Sequence, residues 1–173
     1  MQSSENSPSA NENGAFTRVI NRISGFFGAL SALTIAGILL LVFAEILMRN
    51  VFGRSTMISD EFAGYLNAAA VFLGLGYTLR EGAFIRVDSL YIKMKGNVLM
   101  AARWTFTLVT MASLLILVYY EVKHVAYLYN SNIRSDSLTE TALFIPQSLI
   151  VLGLVVLIAQ LATYIVKGVR DVP

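Results

Sequence analysis

Four long runs without a charged side chain set the limits on this fold: residues 23–44, 62–79, 104–120 and 141–166. A run of about 20 apolar residues coils into a helix that crosses the hydrocarbon core of a bilayer, where backbone N–H and C=O groups must pair within the segment. Each run therefore reads as one membrane crossing. The second run is framed most clearly, by Asp60-Glu61 in front and Arg80-Glu81 behind. Ionised groups are costly in hydrocarbon and cheap near water, so this frame marks where the helix leaves the membrane. Composition agrees. Only 14% of the residues are charged and the mean hydropathy is +0.66, whereas soluble domains carry about 25% charged residues.

With four crossings both termini fall on one side, and the distribution of Lys and Arg says which. Arg18, Arg22, Arg80, Arg86, Lys93, Lys95, Arg103, Lys167 and Arg170 lie on the side of the termini; Arg49, Arg54, Lys123 and Arg134 lie on the other. The excess places both termini and the middle loop in the cytoplasm. The net charge of +2 follows from this bias and gives no reason to invoke nucleic acid. The sequence contains no cysteine, which removes disulfides, thiolate catalysis and Cys-ligated metal.

These boundaries predict an all-α integral membrane protein with transmembrane helices at about 22–49, 59–80, 101–128 and 146–167. Residues 21–168 form a single four-helix membrane domain. Residues 1–20 are expected to be a disordered cytoplasmic tail, because Ser, Asn and Glu predominate at its start and cannot bury enough apolar surface to offset ordering. Residues 169–173 form a second cytoplasmic tail. Between the second and third spans, Phe84, Val87, Tyr91, Met94 and Val98 recur at three- and four-residue intervals opposite Arg86, Lys93 and Asn97. That pattern predicts an amphipathic helix at about 84–98, lying in the interface against lipid headgroups or another membrane subunit.

Polar residues within the spans are few. Glu45 precedes Arg49 by four, the favourable order for a helical ion pair, and reads as an interfacial pair rather than an intramembrane proton or ion ligand. Ser59-Asp60-Glu61 supplies a capping oxygen and acids for the first turn of the second helix; a salt bridge to another subunit is equally compatible. The same helix carries the small-xxx-small pairs Gly64/Ala68 and Ala70/Gly74, which let helix backbones approach closely in lipid. Asn67 is its strongly polar residue, suited to an interhelical hydrogen bond, and Gln160 is the polar exception in the fourth span. Pro146 fits the first turn of that span. His124, the only histidine, lies beyond the hydrocarbon and has no second His or Cys to complete a metal site. The sequence thus offers no catalytic set, no metal site and no cofactor site.

The segment Arg49-Asn50-Val51-Phe52-Gly53, the Asp60-Glu61 pair, the Phe72-Leu73-Gly74 step, Arg80 and Ile85-Arg86-Val87-Asp88 resemble the small membrane subunit of TRAP transporters, the DctQ-like family. Ile58-Ser59 and Ala83-Phe84 stand where the family pattern has an aromatic residue and Gly-His. The resemblance implies a bacterial inner-membrane protein with four helices and both ends cytoplasmic. It also implies two partners, a large TRAP membrane subunit that moves the solute by a sodium-driven elevator motion and a periplasmic substrate-binding protein. The chain would be a scaffold for the large subunit in solute uptake, of organic acids above all, with sialic acids, dicarboxylates and ectoine-like solutes all open. On this reading Arg49, Asp60 and Glu61 face the periplasm near a partner, Gly74 belongs to a packed helix face, and Arg80, Arg86 and Asp88 fix the cytoplasmic end. The chain lacks the broken half-helices, inverted repeat and midplane ligand cluster of a secondary transporter. A self-contained four-helix channel or exporter is the alternative, and a small membrane enzyme a further one.

Overall fold

The computed structural model describes residues 8–82 and 97–166, with side chains from Gly14 onward in the first helix and from Val98 onward in the third. Four helices follow in order: α1 (Pro8–Phe52), α2 (Ser59–Arg80), α3 (Asn97–Asn130) and α4 (Phe144–Val166). All four are long and apolar enough to cross a membrane. Among the described residues no strand forms; one isolated antiparallel bridge, Arg134 to Ala142, closes the loop between α3 and α4. Residues 84–96 of the expected interfacial helix, with Arg86 and Asp88, lie outside the described residues, as does the C-terminal tail; residues 97 and 98 begin α3 instead.

The bounds of α2 coincide with the expected ones, because charge fixes both ends. α1 is longer than the expected 22–49. It begins at Pro8, and the physical reason lies in its tertiary face. Thr17, Ile20 and Ser24 are buried at spacings of three and four, so the segment before residue 22 packs a helical face that a search for uncharged runs does not detect. Arg18 Nε also returns a hydrogen bond to the Gly14 carbonyl at 3.2 Å. α3 likewise overruns 101–128 at both ends. Its 34 residues span about 51 Å at 1.5 Å per residue, more than the roughly 30 Å hydrocarbon core, so α3 projects beyond the membrane. At its far end Leu128 is buried, and the Tyr129 ring lies edge-on to Phe144 of α4 at 5.3 Å.

α2 and α4 form the centre. The most apolar window of α4 is 44% buried and that of α2 28%, against 6% for α1 and for α3. Among the described residues α1 packs on α2 and α4, and α3 packs substantially on α4 alone. The result is a three-helix core with α3 appended, open on the side of α2 that faces away from α1 and α4. Glycines let the central helices meet. A Cβ on Gly153 would overlap the carbonyl group of Phe72, one on Gly76 would lie 2.7 Å from Val156 Cγ1, and one on Gly28 would lie 2.6 Å from Tyr77 Cγ. In lipid, where apolar contact with the solvent is no penalty, such close packing is what holds helices together.

The small-residue pairs of α2 separate accordingly. Ala70 is buried and its carbonyl accepts the Ser31 hydroxyl at 2.6 Å; a Cβ on Gly74 would come within 2.9 Å of the same hydroxyl. This pair is the α1 contact. Gly64 is exposed, and a Cβ added to it would meet no atom within 4 Å among the described residues, so Gly64 makes no close helix contact there.

Candidate functional site

The polar side chains gather at the two ends of the helices. At the end formed by the α1–α2 and α3–α4 loops, Glu45 sits one helical turn before Arg49 and is only 7% exposed. It accepts Arg49 Nε at 2.9 Å, Ser55 Oγ at 2.6 Å, Ser59 Oγ at 3.0 Å, the Thr56 backbone N–H at 3.3 Å and the Thr56 hydroxyl. The expected Glu45–Arg49 pair is present, but it is one contact of a larger latch. This carboxylate ties the end of α1 to the connecting loop and to the first residue of α2. Gly53 at φ 59° and Met57 at φ 55° turn the loop sharply enough to bring those hydroxyls back. Ser59 does not cap α2 as expected. The N-cap position is Ile58, without a side-chain cap, because the Ser59 hydroxyl is committed to Glu45.

Glu61 forms a second latch. Tyr65 donates to its Oε1 at 2.7 Å, and the Ser137 and Thr139 hydroxyls donate to Oε2. Ser135 Oγ donates to Ser137 at 3.1 Å, and Thr141 Oγ1 to Thr139 at 3.0 Å. The loop backbone is fastened by Ser135 N–H to the Thr141 carbonyl at 2.9 Å. Sequence leaves Glu61 open between a local cap and a link to another subunit; its carboxylate instead binds the start of α2 to the α3–α4 loop. Nothing in local sequence announces a partner more than seventy positions away. The one signal for it is the run of hydroxyls at 135, 137, 139 and 141.

At the opposite end, Arg80 donates through Nη1 to the Asn21 carbonyl at 2.7 Å and pairs with Glu81 at 2.7 Å, its guanidinium stacked 4.6 Å from the Tyr77 ring centre. Beneath it lies a buried polar layer. Ser24 Oγ donates to Gln160 Oε1 at 2.9 Å, Gln160 Nε2 to Asn21 Oδ1 at 3.2 Å, and Tyr164 OH to the Leu79 carbonyl at 3.0 Å. Gln160 is 2% exposed, so its amide satisfies itself on α1 rather than on lipid or solute. This layer joins α1, α2 and α4 and gives Arg80 its role at that end of the bundle.

The remaining expected residues are placed as follows. Arg49 and Asp60 are exposed, Asp60 with its side chain outward from α2. Asn67, expected to bond between helices, is exposed and makes no such bond among the described residues. His124 is exposed on the projecting part of α3. Among the described residues no group of three or more His, Cys, Asp or Glu could hold a metal ion. Met57, Asp136, Ser137, Leu138 and Glu140 line an open hollow on the loop surface. The chemistry these residues can do is to lock helices and loops together.

The family model for the DctQ component of tripartite ATP-independent periplasmic transporters matches residues 38–171, a span that holds the end of α1 and all of α2, α3 and α4. No curated protein and no solved structure matches the chain.

Proposed function

The chain belongs to the DctQ-component family, the small membrane subunit of tripartite ATP-independent periplasmic transporters, and on that footing we propose that it is the stationary scaffold of its transporter. In this reading it lies in the bacterial inner membrane with both termini cytoplasmic. It supports a large subunit that takes up solute, an organic acid above all, at the expense of a sodium gradient, with solute delivered by a periplasmic binding protein. Arg49 and Glu61 then stabilise the periplasmic loops, while Arg80 braces the cytoplasmic end.

The observation that carries this reading is where the polar groups go. Glu45, Glu61 and Gln160, which in a carrier could line a path, are each taken up by hydroxyl, amide or backbone partners of the same chain. A latched carboxylate has little freedom to bind and release an ion, whereas a rigid helix set suits a fixed support. A self-contained channel is disfavoured by the packing. Among the described residues α3 packs substantially on α4 alone, so the four helices do not surround a common axis. Proteoliposomes test the proposal. The chain alone should give no solute flux, and the large subunit with binding protein should transport in a sodium gradient only when this chain is present. Flux through this chain alone would overturn the scaffold reading.

A further inference from the structure

The outward face of α2 differs from the rest of the surface at membrane depth. Asp60, Gly64, Asn67 and Val71 are all exposed, and their spacings of four, three and four place them on one stripe of the helix. The exposed face of α1 at membrane depth carries Leu33, Leu39, Leu40 and Phe43, side chains that lipid tails accommodate. On α3 the exposed Ser113 satisfies its hydroxyl on the Val109 carbonyl at 2.9 Å. Asn67 cannot do the same, since its planar amide carries two N–H donors and a carbonyl that one backbone acceptor does not satisfy. It lies two turns inside α2, within the hydrocarbon, where a polar group without a partner is expensive.

We propose that this stripe of α2 docks a transmembrane helix of the large membrane subunit, which offers a hydrogen-bonding group to Asn67 and a cation beside Asp60. The proposal rests on the scaffold reading above and names the surface through which the scaffold is held. Gly64 provides the room. Among the described residues no atom lies within 4 Å of where its Cβ would be, so a second backbone can approach there, between a charge above and an amide below. Charge selects a different protein over a second copy of this chain. A two-fold pair of parallel α2 helices would set Asp60 against Asp60 at the same depth, a like-charge contact, whereas a partner helix with Lys or Arg at that height meets an unopposed carboxylate.

The test uses the complete transporter expressed in membranes. Gly64→Leu and Asn67→Leu, each examined alone, should reduce the large subunit recovered with this chain about tenfold or more, as loss of a central interface contact does. Leu40→Ala on the lipid-facing side should leave recovery unchanged. The melting of the isolated variants in detergent should match that of the unmodified chain, because neither side chain packs within it. A photoreactive amino acid at position 67 should crosslink to the large subunit. Full recovery with both leucine variants, or crosslinks only to lipid or to a second copy, would overturn the docking surface while wild-type co-purification upheld the scaffold. Failure of the unmodified chain to co-purify with the large subunit would overturn both.

Discussion

Adding one methyl group at Gly153 should loosen the centre of the molecule. A Cβ there would overlap the carbonyl of Phe72 and lie 2.9 Å from its Cβ, and neither atom can rotate away because both belong to or adjoin the α2 backbone. Ordinary carbon contacts are about 3.5–4.0 Å, so α2 and α4 must separate by about 1 Å at the crossing. A gap of that size forfeits roughly a quarter to a half of each contact it opens, here among Leu73, Leu154, Val156 and Leu157, all buried. Bilayer lipid supplies no hydrophobic collapse to compensate. Gly153→Ala is therefore expected to destabilise the chain by about 1–3 kcal/mol. Gly64→Ala, with open space around it, should stay within about 0.5 kcal/mol of the parent. Thermal unfolding of the purified chain in mild detergent, followed by the monodisperse fraction on gel filtration, measures both. A Gly153→Ala protein as stable as the parent, or a Gly64→Ala protein less stable than it, would refute the placement of these two faces.

Other outcomes follow from the latches and the topology. Glu45→Ala should lower the melting temperature more than Arg49→Ala, because removing the carboxylate leaves three hydroxyls without their acceptor, while Arg49 is 54% exposed; equal losses would show that the ion pair alone matters. Glu61→Ala should speed amide exchange across residues 131–143 by about tenfold or more, the loss of a charge-assisted contact, and leave α4 protected; unchanged exchange would refute the latch. The native chain has no cysteine, so single substitutions report topology cleanly. An impermeant maleimide added to intact spheroplasts should label Leu138→Cys and not Ala15→Cys, and the reverse pattern would invert the membrane orientation.

Particular residues show how far the sequence can be read. The ends of α2 are legible because Asp60-Glu61 and Arg80-Glu81 are charges that the bilayer must reject, a local rule. Glu45 and Arg49 are legible as neighbours on one helix. The Ser55, Thr56 and Ser59 donors to Glu45 are not, because they depend on how a short loop folds back. Ser59 reads as a cap and is not one, since a capping hydroxyl and a latch hydroxyl look alike in sequence. The early start of α1 escapes notice because Thr17 and Ile20 mark a buried face before the first long uncharged run. Gly64/Ala68 and Ala70/Gly74 carry the same motif, and only the position of α1 distinguishes the packed pair from the open one.

By itself, then, the sequence determined the number of apolar helices long enough to cross, their order, the ends of α2 and the family, because these depend on hydropathy, charge and short motifs that act along the chain. Tertiary structure alone decided that α2 and α4 form the centre and that α3 joins through α4. It also decided that Glu61 holds a distant loop, that Gly153 is the tightest crossing and that Asn67 faces outward. Those outcomes depend on which faces meet, and a helix exposes every side of its surface until its neighbours are in place.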